Sequence, residues 1–254
     1  MGGQTSGQAL KGPGGSTARP LLPGTGPVVA VAIVVVCMLV MAVQAVWLRH
    51  GMETGWLDKA IDARVQASLA GHPRLLAVLV WPGEPVPATA MAAALALACI
   101  LRRHYRGAAL VAISVPLAAV LTEFVLKPLI GWTPWGNPFP SGHVTAVAAL
   151  ATALTVLLAS TPARTPPLLR FAVAFTAFLM TAAVAVGVIG ANMHHFTDTA
   201  GGAAVGTGTV LVTALVLDRL RRAHSQRRGE GQQARSGPHP LRPQTDQTFR
   251  SDSR

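Results

Sequence analysis

Six long apolar runs constrain this 254-residue chain more than any other feature: Val28 to Leu48, Val86 to Leu101, Gly107 to Leu126, His143 to Ala159, Phe171 to Gly190 and Thr199 to Leu217. A helix rises 1.5 Å per residue, so about 20 apolar residues cross the hydrocarbon core of a bilayer. Backbone polar groups in lipid must be satisfied within the segment, which makes each run a helix. The predicted fold class is therefore all-α: an integral membrane bundle of six transmembrane helices. A composition of 51% hydrophobic and 12% charged residues, with mean hydropathy +0.45, excludes an ordinary soluble domain. The start of the second span is the least defined. Leu75 to Val80 is also apolar, and Trp81-Pro82-Gly83-Glu84-Pro85 interrupts the helix between the two stretches.

Three segments follow from these spans: a disordered leader at 1–27, a six-span domain at 28–217 and a basic disordered tail at 218–254. Six spans place both termini on one side. The segments on that side carry sixteen of the 21 Lys and Arg, and those on the other carry five. The positive-inside rule then puts both termini in the cytoplasm of a multi-pass cell-membrane protein. All five Trp, at 47, 56, 81, 132 and 135, fall in or beside the outer segments, as an interfacial belt would. The net charge of +11 is concentrated in the tail, where nine Lys and Arg lie, rather than on a folded face, which argues against nucleic acid as a partner. Cys37 and Cys99 sit inside apolar runs and suggest neither a disulfide framework nor a zinc site. Residues 49–74 carry Trp56, Leu57, Ile61, Val65 and Leu69 at near-helical spacing, predicting a short amphipathic helix on the membrane surface, with Asp58, Lys59, Asp62 and Arg64 on its other faces. Few Lys beside many Arg, Ala and Gly suggests a GC-rich bacterial genome.

The unusual polar residues gather in the two remaining outer segments, 127–142 and 191–198, which the topology puts on one face. Ser141 stands where an N-cap belongs and Gly142 allows close backbone approach, an anion-binding arrangement at a helix N-terminus. His143 follows in the first turn, placed to give a proton to a leaving oxygen. His194 and Asp198 are one helical turn apart, so the carboxylate can hold one imidazole nitrogen and leave the other as a nucleophile.

These residues resemble the type 2 phosphatidic acid phosphatase superfamily, whose pattern is a Lys followed by Arg-Pro, then Pro-Ser-Gly-His, then Ser-Arg with a later His and an Asp four beyond it. The resemblance covers about residues 55 to 217 and is carried by Lys127, Pro140-Ser141-Gly142-His143, His194 and Asp198. It implies that His194 attacks phosphorus and becomes a phosphohistidine, that Asp198 orients it, and that His143 protonates the leaving group. Lys127, Ser141 and the Gly142 amide would hold the phosphoryl oxygens. It further implies no cofactor and no metal, and as substrate a lipid or polyprenyl phosphate or diphosphate, undecaprenyl diphosphate among the possibilities, reached from the bilayer at the outer face.

Both arginines of that pattern are absent. The first Arg-Pro falls at Pro134-Trp135, or at Thr133-Pro134 if one residue is deleted, and the Ser-Arg pair at Gly187-Val188. Each charge-assisted bond to the transferring group is worth about 1.5 to 3 kcal/mol, so their loss supports a second reading, a non-catalytic lipid-binding or scaffold member of the fold. Asn137, Asn192 and His195 are neutral donors that lie near enough in sequence to substitute. Glu123, one turn before Lys127 in an apolar run, predicts a structural pair with that lysine. Gly202 and Gly206 have the small-xxx-small spacing of helix packing.

Overall fold

A computed structural model describes residues 20–49, 55–130, 139–161 and 166–235, and among these every regular element is helical. In chain order they are α1 (Gly26–Arg49), α2 (Trp56–Leu69), α3 (Pro73–Val80), a 3₁₀ turn at Trp81–Gly83, α4 (Pro85–Leu101), α5 (Tyr105–Val120) extended by a π-helical turn (Leu121–Leu126) into α6 (Lys127–Ile130), α7 (Gly142–Ser160), α8 (Pro167–Gly190) and α9 (Phe196–Arg235). Five helices are long and apolar enough to cross a membrane. A sixth candidate is the pair formed by α3 with its 3₁₀ turn and α4, bent by 45° at the break. The break falls where Pro82 and Pro85 remove backbone donors and where the extended Glu84 separates the two helices. The chain is thus a multi-pass membrane protein.

α7 and α9 lie at the centre of the bundle, whereas α1 is almost entirely uncovered. Small residues bring the central pair together: a Cβ at Gly202 would stand 2.5 Å from the Ser141 carbonyl oxygen, and one at Gly206 would run into the Thr145 carbonyl. No side chain fits at either position, so the small-xxx-small spacing sets the distance between the helix that begins with Ser141 and the one that carries Asp198. Elsewhere the core is built of small and branched residues, including Val111, Ala149, Ala153 and Val210.

At the end opposite the polar motifs, the leader and the end of the last span are locked together. The backbone N–H groups of Leu21 and Leu22 donate to the two carboxylate oxygens of Asp218, each at 3.0 Å. Arg106 Nη2 donates to Asp218 Oδ1 at 2.8 Å and to the Leu217 carbonyl at 2.7 Å. Leu21 and Leu22 are buried, so the last residues of the expected leader are part of the packed structure, and the helix begins at Gly26. Residues 1–19 lie outside the described part of the chain. The expected tail boundary also falls inside a helix. α9 runs on to Arg235, its residues through Asp218 belonging to the membrane unit and those from Arg219 to a separate one. Asp218→Ala would leave two buried amides without their acceptor and remove one of the partners of Arg106, so a loss of about 2 to 4 kcal/mol is expected, read as a lowered unfolding midpoint in detergent. An unchanged midpoint would show that the latch contributes nothing.

Candidate active site

The turn between α8 and α9 carries His194. α8 ends in a Schellman arrangement: Met193 N–H donates to the Val188 carbonyl and Asn192 N–H to the Ile189 carbonyl, each at 3.0 Å, with Asn192 at φ +56°. Asparagine is among the few side chains that accept this left-handed conformation. The chain then turns directly into α9, with His195 at the N-cap position. Asp198, the third residue of α9, reaches back so that its Oδ2 accepts the His195 backbone N–H at 2.8 Å. This is the acidic half of a capping box. The same Oδ2 faces His194 Nδ1 at 3.7 Å.

The other motif is joined to this turn by the backbone itself. Ser141 N–H donates to the Asp198 carbonyl at 3.0 Å, and Ser141 caps α7 as its spacing predicts, its Oγ accepting from Val144 N–H at 3.5 Å. Thr145 Oγ1 closes on the Ser141 carbonyl at 2.8 Å. His143, in the first turn of α7, stands with its ring centroid 6.2 Å from that of His194, the planes inclined at 66°. The two sequence-distant clusters therefore share one end of the bundle. His143 Nε2 lies 3.5 Å from Glu84 Oε1, at the break before α4. Both His143 Nε2 and His194 Nδ1 are buried without a hydrogen-bond partner. His194 keeps only 9% of its side-chain surface accessible, so its imidazole is held in place without a protein partner that fully satisfies it.

Lys127 donates to both oxygens of Glu123, at 2.8 and 2.7 Å, the pair that their spacing predicts. Glu123 does more than neutralise the lysine. Its Oε1 is 2.7 Å from where a Cβ on Gly142 would stand, so a carboxylate of the chain itself lies against the first residue of α7. The residue pair sits in and beside the π-helical turn, a distortion that often accompanies functional positions.

The positions of the missing arginines are instructive. Gly187 packs so closely on α3 that a Cβ there would be 2.7 Å from Leu79 Cβ, and Val188 is fully buried in a cluster with Val80, Val144, Val147 and Val184. The pair to which the resemblance assigns the second arginine is thus packed among apolar side chains. Positions 134 and 135, and with them Trp132 and Asn137, lie outside the described residues. The other two candidates contact α2: Asn192 Oδ1 accepts from Gln66 Nε2 at 3.1 Å, and His195 Nδ1 is 2.8 Å from Asp62 Oδ2. Among the described residues no group of three or more His, Cys, Asp or Glu side chains is arranged to hold a metal ion.

Two carboxylates did not emerge from the sequence as site residues. Asp58 and Asp62 of α2 are 4% and 6% exposed and face the start of α9 instead of the membrane surface. Asp62 Oδ1 accepts the Phe196 N–H at 3.1 Å, and Asp58 Oδ1 accepts the Thr197 N–H at 2.9 Å. The available signal was their four-residue spacing, together with an α9 start that has no Ser, Thr, Asn or Asp at the N-cap. The polar face of α2 is turned inward because it supplies the cap that α9 lacks.

Comparison with known families matches residues 121–222 to a model described as the PAP2 superfamily. The matched stretch holds Lys127, the Ser141-Gly142-His143 motif, His194 and Asp198, and excludes α2. No curated protein and no solved structure matches the chain.

Proposed function

Given that this multi-pass membrane protein carries a PAP2 superfamily domain over residues 121–222, we propose that it hydrolyses a lipid or polyprenyl phosphate or diphosphate through a phosphohistidine at His194. Members of the superfamily generally act on lipid phosphates. The observation that supports the reading most is the meeting of His143 with His194, ring centroids 6.2 Å apart, joined through the Ser141 to Asp198 backbone bond. A phosphoryl group between the two rings would meet a nucleophile on one side and a proton donor on the other, the near-attack geometry that in-line transfer needs.

In this mechanism the free nitrogen of His194 forms the bond to phosphorus as the bond to the leaving oxygen breaks, and His143 delivers a proton to that oxygen. Asp198 compensates the positive charge that develops on the His194 ring. Water then attacks phosphorus and gives a proton to the now neutral His143 as the P–N bond to His194 breaks and phosphate leaves. Lys127, Ser141 and the Gly142 amide hold the phosphoryl oxygens. The positive-inside count places both termini in the cytoplasm and the site at the outer face, where a head group enters while its tails remain in the bilayer.

Glu123 sets a condition on this scheme. A carboxylate at the start of α7 occupies the position favoured for an incoming anion and shares Lys127 with it. Glu123→Gln removes that competing charge, and a fall of about tenfold in the inhibition constant of inorganic phosphate is expected, corresponding to about 1.4 kcal/mol. A weaker or unchanged constant would mean that Glu123 serves to orient Lys127 and does not oppose phosphate.

The test of the proposal is phosphate release by purified protein from a panel of lipid phosphates and diphosphates in detergent micelles. Turnover of any member supports it. Binding of these lipids without release would instead favour a non-catalytic lipid-binding or scaffold role, the reading that the apolar packing at Gly187 and Val188 supports.

A further inference from the structure

α2 presents a single stripe, Asp58, Asp62, Gln66 and Leu69, at helical spacing, and the whole stripe engages the turn that carries His194. Before the histidine, Leu69 packs against Gly190, where a Cβ would be 2.7 Å from Leu69 Cδ1, and Gln66 Nε2 donates to the Ile189 carbonyl at 3.4 Å and to Asn192 Oδ1 at 3.1 Å. After it, Asp62 meets His195 Nδ1 and the Phe196 N–H, and Asp58 meets the Thr197 N–H and Oγ1, the last at 3.0 Å. Residues 189 to 197 are thus gripped on both sides of His194 by one helix from outside the matched domain.

We propose that α2 is the positioning element of the His194–Asp198 pair, with Asp62 acting through His195. This assignment rests on the phosphohistidine reading above. The path is short. Asp62 Oδ2 fixes the His195 ring at 2.8 Å, and the His195 backbone N–H in turn holds Asp198 Oδ2, the oxygen that faces His194. Asp58 and Asp62 also satisfy the first backbone donors of α9, and their negative charge lies favourably at its positive end. A misplacement of about 1 Å in a reacting group can lower a rate by about 10²-fold. Neither aspartate touches the rings of His143 or His194, so they are positioning residues.

The experiment is a double-mutant cycle on the full chain with Asp62→Asn and His195→Gln, and with Asp58→Asn alone, each checked for an unchanged detergent-solubilised elution profile. Asp62→Asn and His195→Gln should each lower kcat by about 10- to 100-fold with KM within about twofold, and the double variant should lose no more than either single one. A capping role that only stabilised the fold would lower the unfolding midpoint and leave kcat of the folded fraction intact. A second readout does not need turnover: the ring-nitrogen resonances of His194 in ¹⁵N-histidine-labelled protein, assigned with His194→Gln, should shift in Asp62→Asn and in His195→Gln. Wild-type kcat and wild-type His194 resonances in both variants would overturn the proposal. If the native protein releases no phosphate, the phosphohistidine reading fails by itself, and the His194 resonances still decide whether α2 positions this turn.

Discussion

Replacing His194 with glutamine is expected to lower phosphate release by at least about 10³-fold while the bundle stays folded. The side chain is nearly buried, yet Nδ1 makes no hydrogen bond within the structure and stands 3.7 Å from Asp198, so little of the fold depends on it. Covalent catalysis of the proposed kind, by contrast, would depend on it wholly. His143→Gln should cost about 10²- to 10⁴-fold, the range for a lost general acid, and the loss should be smaller for substrates whose leaving group needs no proton, such as an aryl phosphate. Combining the two changes should add little to His194→Gln alone, because groups that serve one step are not additive. The assay is steady-state phosphate release with matched detergent and lipid ratios. Equal rates in the native protein and both variants would remove these histidines from the reaction.

The second large effect concerns the position where an arginine is missing. Restoring the pattern by Val188→Arg should not rebuild an anion clamp; it should unfold the protein. Val188 is 0% exposed and packs with the apolar side chains of Val80, Val144, Val147 and Val184. Overpacking costs about 1 to 3 kcal/mol, and an unpaired buried cation costs several more. A combined loss of at least about 4 kcal/mol is expected, seen as loss of folded protein on extraction. Val188→Ala supplies the reference, since it makes a small cavity without adding charge and should cost about 1 to 3 kcal/mol. Folded Val188→Arg protein with raised phosphate affinity would show that this position opens onto the site.

Much of this arrangement was legible in the sequence for identifiable reasons. Runs of apolar residues dictate membrane helices because lipid offers the backbone no hydrogen bonds, and that rule does not depend on tertiary detail. The Ser141 cap and the His194 to Asp198 spacing are local, within one turn, and local geometry is what spacing predicts. The Glu123 to Lys127 pair follows from the same one-turn spacing and from the cost of a lone carboxylate among apolar residues. The role of α2 was not legible. Its alternation of polar and apolar residues suits a membrane surface as well as it suits the start of another helix. Only the distance of more than 130 positions between Asp62 and Phe196, bridged in the folded chain, decides between them. Likewise nothing local reveals that Glu123 lies over Gly142, since that contact depends on how α5 and α7 approach each other.

Covalent transfer to His194 is the claim on which the rest stands. Purified protein mixed with a ³²P-labelled lipid phosphate and quenched within milliseconds under alkaline conditions, which preserve phosphohistidine, should yield one labelled peptide, that containing His194. The label should be absent from His194→Gln and should disappear from the native protein as substrate is exhausted. Phosphate release with no label on the chain at any time, or label on a residue other than His194, would contradict the account.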